Sequence, residues 1–197
     1  MIAPKFLKDG YRRFRESPRA EKIRGLAGGQ RPKVMVIACS DARVHPATIF
    51  DAHPGELFMV RNVANIVPPC ETGGTYHGTS AALEFAVKSL NIPAVLVLGH
   101  SGCGGVKACL DAAGKKPPGD FIGPWVAIMA KARGEVLKEN PGAAPKTQAM
   151  LLEKANVKTS LANLATFPFV TDRVAEGRLQ LLGAWFDIKT AGLEWVD

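Results

Sequence analysis

The sequence predicts an α/β fold, a central and mostly parallel β-sheet flanked by helices, with an N-terminal helical arm. Three observations carry this expectation. Two apolar runs, Val34-Met35-Val36-Ile37-Ala38 and Ala94-Val95-Leu96-Val97-Leu98, show no polar alternation, and such runs read as parallel strands buried on both faces. Segments of helical periodicity separate the strand-like runs, so strand and helix alternate. Residues 1–33 differ in character, with ten Lys/Arg against three Asp/Glu, and they hold all of the +7 net charge. At 197 residues with 47% apolar content, one domain with a sizeable core is the default. We expect an arm over residues 1–29 and an α/β domain over 30–197.

The elements follow in order. Residues 4–16 and 18–27 read as two helices divided at Ser17-Pro18, where Ser17 suits a cap and Pro18 a first helical position. Gly28-Gly29 ends the arm, and the first strand begins near Lys33. Pro46–Asp51 reads as a short helical turn and Glu56–Arg61 as a second strand. Residues 75–90 form a helix with Leu83, Phe85-Ala86-Val87 and Leu90 on its apolar side; Ile92-Pro93 then restarts the chain as a third strand. Gly104-Gly105 opens a helix over Val106–Ala113, and residues 114–119 are a break. Residues 120–166 read as helices interrupted at Asn140-Pro141-Gly142. Pro168–Glu176 is a further helix and Leu179–Phe186 a further strand.

The chemistry concentrates where two strand-like runs end. Cys39-Ser40-Asp41-Ala42-Arg43 closes the first, and His100-Ser101-Gly102-Cys103 closes the third. In an open parallel sheet, ligands bind beyond the carboxyl ends of the strands, so the two clusters can converge. Cys39, Cys103 and His100 offer two thiolates and an imidazole, a donor set suited to Zn2+, and three protein ligands leave the open position of a catalytic site. Cys103 at a helix N-terminus is expected to favour its thiolate form. Two thiolates and a neutral imidazole leave the ion formally neutral, so water on it titrates higher than at a three-histidine site and activity favours alkaline pH. Asp41 points at the open position, either as acceptor of a hydrogen bond or as a fourth ligand in a closed form. A bidentate Arg43–Asp41 pair selects the first role by holding the carboxylate off the metal.

Taken together, Cys39–Val44, Pro54-Gly55-Glu56-Leu57-Phe58-Met59-Val60-Arg61-Asn62 and Gly99–Val106 resemble the β-class carbonic anhydrases, in their plant-type subclass, over about residues 30–187. The resemblance implies one zinc per chain and reversible hydration of CO2 to bicarbonate and a proton by attack of zinc-bound hydroxide. It implies an apolar substrate pocket lined by Phe58, Val63 and Phe85, with Gln30 and the Gly104 amide bonding an oxygen. Phe85 stands where plant-type members carry tyrosine, and Ala42 where serine is commoner. It also implies that the arm wraps a neighbouring subunit in a homodimer or higher homo-oligomer. Some bacterial members have an inhibitory bicarbonate site; of its three positions only Arg61 matches here, while Val36 and Phe186 replace the other two, so none is expected.

Other classes are less well served. A COS or CS2 hydrolase would use the same zinc ligands. A noncatalytic zinc protein would use the basic arm on nucleic acid, but no base-stacking aromatic cluster accompanies the arm, so no nucleic-acid partner is expected. No stretch approaches 18 consecutive apolar residues and the N-terminus has no continuous apolar core, so a cytoplasmic protein without a membrane partner is expected. Cys70 and Cys109 are expected as reduced thiols. His45, His53 and His77 are candidate proton shuttles that the sequence does not rank.

Overall fold

The computed structural model describes residues 4–74, 77–115 and 119–196. The arm holds two helices, α1 (Lys5–Arg15) and α2 (Pro18–Arg24). Strand β1 (Val34–Cys39) follows, then a short helix α3 (Pro46–Ile49), strand β2 (Leu57–Asn62) and a single turn at Val63–Asn65. Helix α4 (Gly78–Glu84) widens into a π turn over Phe85–Ser89 and leads to β3 (Ala94–His100). Then come α5 (Gly104–Asp111), α6 (Ile122–Val126), α7 (Ala130–Glu139), α8 (Pro145–Leu164), α9 (Pro168–Ala175), β4 (Gln180–Asp187) and β5 (Gly192–Trp195). The first residues of the expected 75–90 helix and the middle of the expected 114–119 break, residues 116–118, lie outside the described residues.

The sheet runs β2-β1-β3-β4-β5, parallel throughout except for the antiparallel edge strand β5. After β2 the chain crosses to the other side of β1 to lay down β3, so the topological switch falls between β1 and β3. One sheet face, with Met35, Ile37, Val95 and Val97, packs on Leu83, Ala86 and Val87 of the α4 segment, Val157 and Leu164 of α8, and Val170 of α9. The opposite face, with Val36, Ala38, Leu96, Leu98 and Ala184, is covered more thinly, by Ile49 of α3 and by Phe50 and Phe186. A third apolar cluster sits beyond the carboxyl ends of the strands, where Val44, Ile66, Val106, Val126, Met129 and Leu152 surround Cys39 and Cys103.

Two local expectations need correction. Ser17 does not cap α2; its hydroxyl donates instead to the Phe14 carbonyl at 2.7 Å and closes the end of α1. Strand β5 was absent from the sequence reading because its four residues are all exposed and show no apolar alternation. What creates it is the preceding turn, where Asp187 accepts from Lys189 N at 3.2 Å and from the Thr190 hydroxyl at 2.8 Å and folds the chain back.

Candidate metal centre

Cys39 is the last residue of β1 and His100 the last of β3, adjacent strands whose register pairs Ala38 with Leu98. The two ligands therefore stand side by side at the switch point. Cys103 follows His100 through the left-handed Gly102 (φ 66°) and occupies the residue before α5. The ligand atoms of all three lie within 4.8 Å of one another, and all three residues are buried. The sulfurs are 3.9 Å apart, far beyond a disulfide. Tetrahedral zinc with Zn–S near 2.3 Å places its two sulfurs about 3.8 Å apart, so the spacing fits that ion. His100 Nδ1 faces the Ser101 carbonyl oxygen at 3.0 Å and donates to it, which leaves the lone pair on Nε2. That atom is buried with no hydrogen-bond partner, as a metal ligand would be.

The two thiols share charge unequally. The hydrogen bond between them holds Cys39 well below the ordinary thiol range and pushes Cys103 well above it. The Cys39 thiolate and burial push Cys103 up, while the Gly105 and Val106 amides at the helix terminus act on it in the expected, lowering direction. Burial works against a charged His100, yet the neighbouring Cys39 thiolate moves it upward overall. A dication opposes both sharings and suits two thiolates with a neutral imidazole.

Asp41 and Arg43 form the expected bidentate pair. Arg43 Nε donates to Asp41 Oδ1 at 2.9 Å and Nη2 to Oδ2 at 2.7 Å, while the Arg43 main-chain N–H also reaches Oδ1 at 2.9 Å. Nη2 donates in addition to the Gly102 carbonyl at 3.1 Å, which ties the pair to the loop between His100 and Cys103. These bonds hold the Asp41 carboxyl far below the usual carboxylate range.

Phe58 and Phe85 meet with ring centroids 6.0 Å apart. Gly104 opens α5 beside Cys103, and Val63 packs close by, its Cγ1 only 2.7 Å from where a Cβ on Gly105 would sit. Gly105 is therefore a close-approach glycine. Gln30 lies exposed ahead of β1 and takes part in none of the site's hydrogen bonds. Val63 and Phe85 are 39% and 48% exposed, so this side of the site is open within one chain.

Two positioning residues escaped the sequence reading. Arg61 of β2 donates to the carbonyls of Cys39 at 2.9 Å, Asp41 at 2.7 Å and Val44 at 3.3 Å, and so clamps the loop that carries Cys39 and Asp41. Glu153 of α8 is buried; its Oε1 accepts from Cys103 N at 3.2 Å and its Oε2 from Trp185 Nε1 at 3.1 Å. Burial pushes its carboxyl up. A lone glutamate in a helix of mixed composition carries no local signal. Arg61 stands in a quoted motif, but what it clamps is visible only in three dimensions. Of the candidate shuttles, His45 and His53 are exposed, and His77 Nε2 contacts the Gly73 carbonyl at 2.7 Å. Cys109 is buried beneath the site, while Cys70 is half-buried and donates its N–H to Thr166 Oγ1 at 2.7 Å.

The family model for carbonic anhydrase matches residues 34–193. β Carbonic anhydrase 5, chloroplastic, of Arabidopsis thaliana is 39% identical over 167 residues, which are 85% of this chain and 55% of that protein, so the chain spans little more than half the length of this curated relative. The solved structure of the β-carbonic anhydrase CcaA superposes with a TM-score of 0.90 at 31% identity, covering 97% of this chain and 93% of that one. A tetrameric β-carbonic anhydrase from the filamentous ascomycete Sordaria macrospora gives a TM-score of 0.82 at 29% identity, covering 96% and 91%. The matched segment contains both strand ends and all three metal-ligand candidates, and the fold agrees along nearly the whole chain: this chain belongs to the β class of the carbonic anhydrase family.

Proposed function

We propose that the protein catalyses the reversible hydration of CO2 to bicarbonate and a proton, with Cys39, His100 and Cys103 holding one zinc per chain. The observation that carries this reading is a buried three-donor site whose neighbouring carboxylate, Asp41, is tied off by Arg43. Zinc held there would supply a Lewis acid that makes water nucleophilic, tempered by the two thiolates. Ionised Asp41 only accepts hydrogen bonds, so it favours a nucleophile that donates to it and turns that nucleophile's lone pair toward the substrate. Arg43 keeps the carboxylate in this role; with the pair broken, Asp41 is free to become a fourth ligand in a closed form. CO2 carries no charge, and Phe58, Val63 and Phe85 offer it an apolar wall. The Gly104 amide and Gln30 donate to its oxygen. Phe85 has no hydroxyl and contributes only its ring.

In this reading residues 1–29 are an arm and 30–197 the catalytic domain, working as a homodimer or higher homo-oligomer. Helix α1 buries none of its residues against its own chain, and Phe6, Leu7 and Tyr11 are exposed on it. The open side of the site at Val63 and Phe85 then receives Gln30 from a second copy, and the tetrameric Sordaria enzyme is consistent with such assembly. No helix among the described residues is long and apolar enough to cross a membrane. Four free cysteines suit a reducing compartment such as the cytoplasm. The test is stopped-flow hydration of CO2 alongside COS and CS2 turnover, with a zinc count. One zinc per chain and CO2 turnover well above the buffer rate are expected; a zinc-loaded protein that turned over only COS or CS2 would overturn the proposal.

A further inference from the structure

Strands β3 and β4 lie side by side in a register that pairs His100 with Phe186, so the next residues on each, Ser101 and Asp187, meet just beyond the paired ends. Ser101 is fastened there by three bonds. Its N–H donates to the Phe186 carbonyl at 2.9 Å. Its hydroxyl donates to Asp187 Oδ1 at 2.9 Å and accepts from Ile188 N at 2.9 Å. A hydroxyl that donates and accepts at once has its direction set from both sides. Asp187 is a carboxylate at neutral pH, so its bond to that hydroxyl is charge-assisted.

The fastened residue presents its carbonyl to a metal-ligand candidate. The Ser101 carbonyl oxygen accepts from His100 Nδ1 at 3.0 Å. That bond selects the tautomer whose lone pair lies on Nε2, the atom buried without a partner in the site. Gly102, at φ 66°, has no side chain to pack, and its own carbonyl is tied to Nη2 of Arg43, a side chain that is 55% exposed. The direction of the Ser101 carbonyl is therefore set chiefly by the bonds that Ser101 itself makes.

We propose that Asp187 is a positioning residue for the metal centre: through the Ser101 hydroxyl it fixes the carbonyl that holds His100 in its metal-binding tautomer and orientation. The inference rests on the reading of Cys39, His100 and Cys103 as metal ligands. Without the carboxylate the Ser101 hydroxyl loses its acceptor and turns, the loop relaxes about Gly102, and His100 Nδ1 loses a fixed partner. The outer partners of a ligating histidine typically carry about 10–100-fold in metal affinity.

The test uses the full chain, loaded with zinc and isotopically labelled at histidine. Asp187→Ala should weaken zinc about 10–100-fold in chelator competition. It should also speed exchange of the His100 Nδ1 proton with water, read as broadening or loss of its NMR signal. Asp187→Asn should restore both readouts, because its amide oxygen still accepts from Ser101 and Lys189 while its NH2 donates to the Thr190 hydroxyl. Thr190→Val removes the bond to Asp187 Oδ2 inside the turn and spares the Ser101 bond, so zinc affinity and proton exchange should stay parent-like. Should Asp187→Ala not fold, Ser101→Ala carries the same test, since it deletes the hydroxyl and keeps the carbonyl. Parent-like affinity and exchange in whichever of these two variants folds would overturn the inference, and so would equal losses in Thr190→Val or no recovery in Asp187→Asn. A parent chain that took up no zinc would overturn the metal reading itself, and this inference with it.

Discussion

Breaking the Asp41–Arg43 pair should slow the enzyme without emptying its metal site. The Asp41 carboxylate accepts three N–H groups: Arg43 N and Nε on Oδ1, each at 2.9 Å, and Arg43 Nη2 on Oδ2 at 2.7 Å. Arg43→Ala removes the two side-chain donors and the tether to the Gly102 carbonyl, leaving one main-chain bond that still lets the carboxylate swing about its Cβ. Asp41→Asn keeps the position but replaces one acceptor oxygen by an NH2 group facing another donor. Neither change touches Cys39, His100 or Cys103, and the Arg43 side chain is 55% exposed, so zinc content and fold should persist. Loss of one preorganised charged hydrogen bond at a reacting centre costs about 10²–10³-fold in kcat. Each single variant should show a loss of that order in stopped-flow CO2 hydration, and the double variant should be little worse than the poorer single, because the two side chains act as a unit. Arg43 holds Asp41 far below the ordinary carboxylate range, so it stays ionised from pH 6.5 to 9, and the alkaline activation expected of a site with two thiolate ligands would not come from its titration. Its contribution to stability is complete above the ordinary carboxylate range and fades only in strong acid. Parent-like rates across that pH interval in both variants, or losses that simply multiply in the double variant, would refute the joint role of Asp41 and Arg43.

Three further outcomes are expected. Cys103→Ala removes one of two sulfurs set 3.9 Å apart and should lose both zinc and activity; full zinc retention by elemental analysis would contradict the ligand assignment. Deleting residues 1–27 should weaken self-association and turnover together, because α1 buries nothing in its own chain; a fully active monomer by light scattering would speak against the assembly. Glu153→Gln leaves only one oxygen for two N–H donors, Cys103 N and Trp185 Nε1, and a buried unpaired donor costs about 1–3 kcal/mol. Burial raises the Glu153 carboxyl in the folded protein, so its contribution is full below the ordinary carboxylate pKa and is lost as pH rises through the raised value. The stability advantage of the parent over Glu153→Gln in urea should therefore shrink as pH rises, and an advantage that grew with pH would show the sign to be wrong.

How much of this protein was written in the sequence follows from how local each signal is. The parallel strands were legible because a strand buried on both faces must be apolar at every position, as Met35–Ala38 and Val95–Leu98 are. The convergence of Cys39, His100 and Cys103 was legible because the first two end those strands and Cys103 follows three residues on, and strand ends in a parallel sheet converge by topology alone. The Asp41–Arg43 pair spans two residues, so its geometry was set by the loop itself. Tertiary structure decided what depends on distant segments meeting. Glu153 and Asn156 reach Cys103 and Ala64 from positions 50 and 92 residues away, and no local pattern in α8 announces that. The sharing of charge between Cys39 and Cys103 depends on two sulfurs from segments 64 residues apart meeting in one buried site. Strand β5 exists only because a turn at Asp187 lays an unpatterned tail against an edge that was already there. Sequence fixes what a segment prefers by itself; which distant backbone groups its side chains satisfy is settled only when the chain has closed around them, because a hydrogen bond needs both partners within about 3 Å.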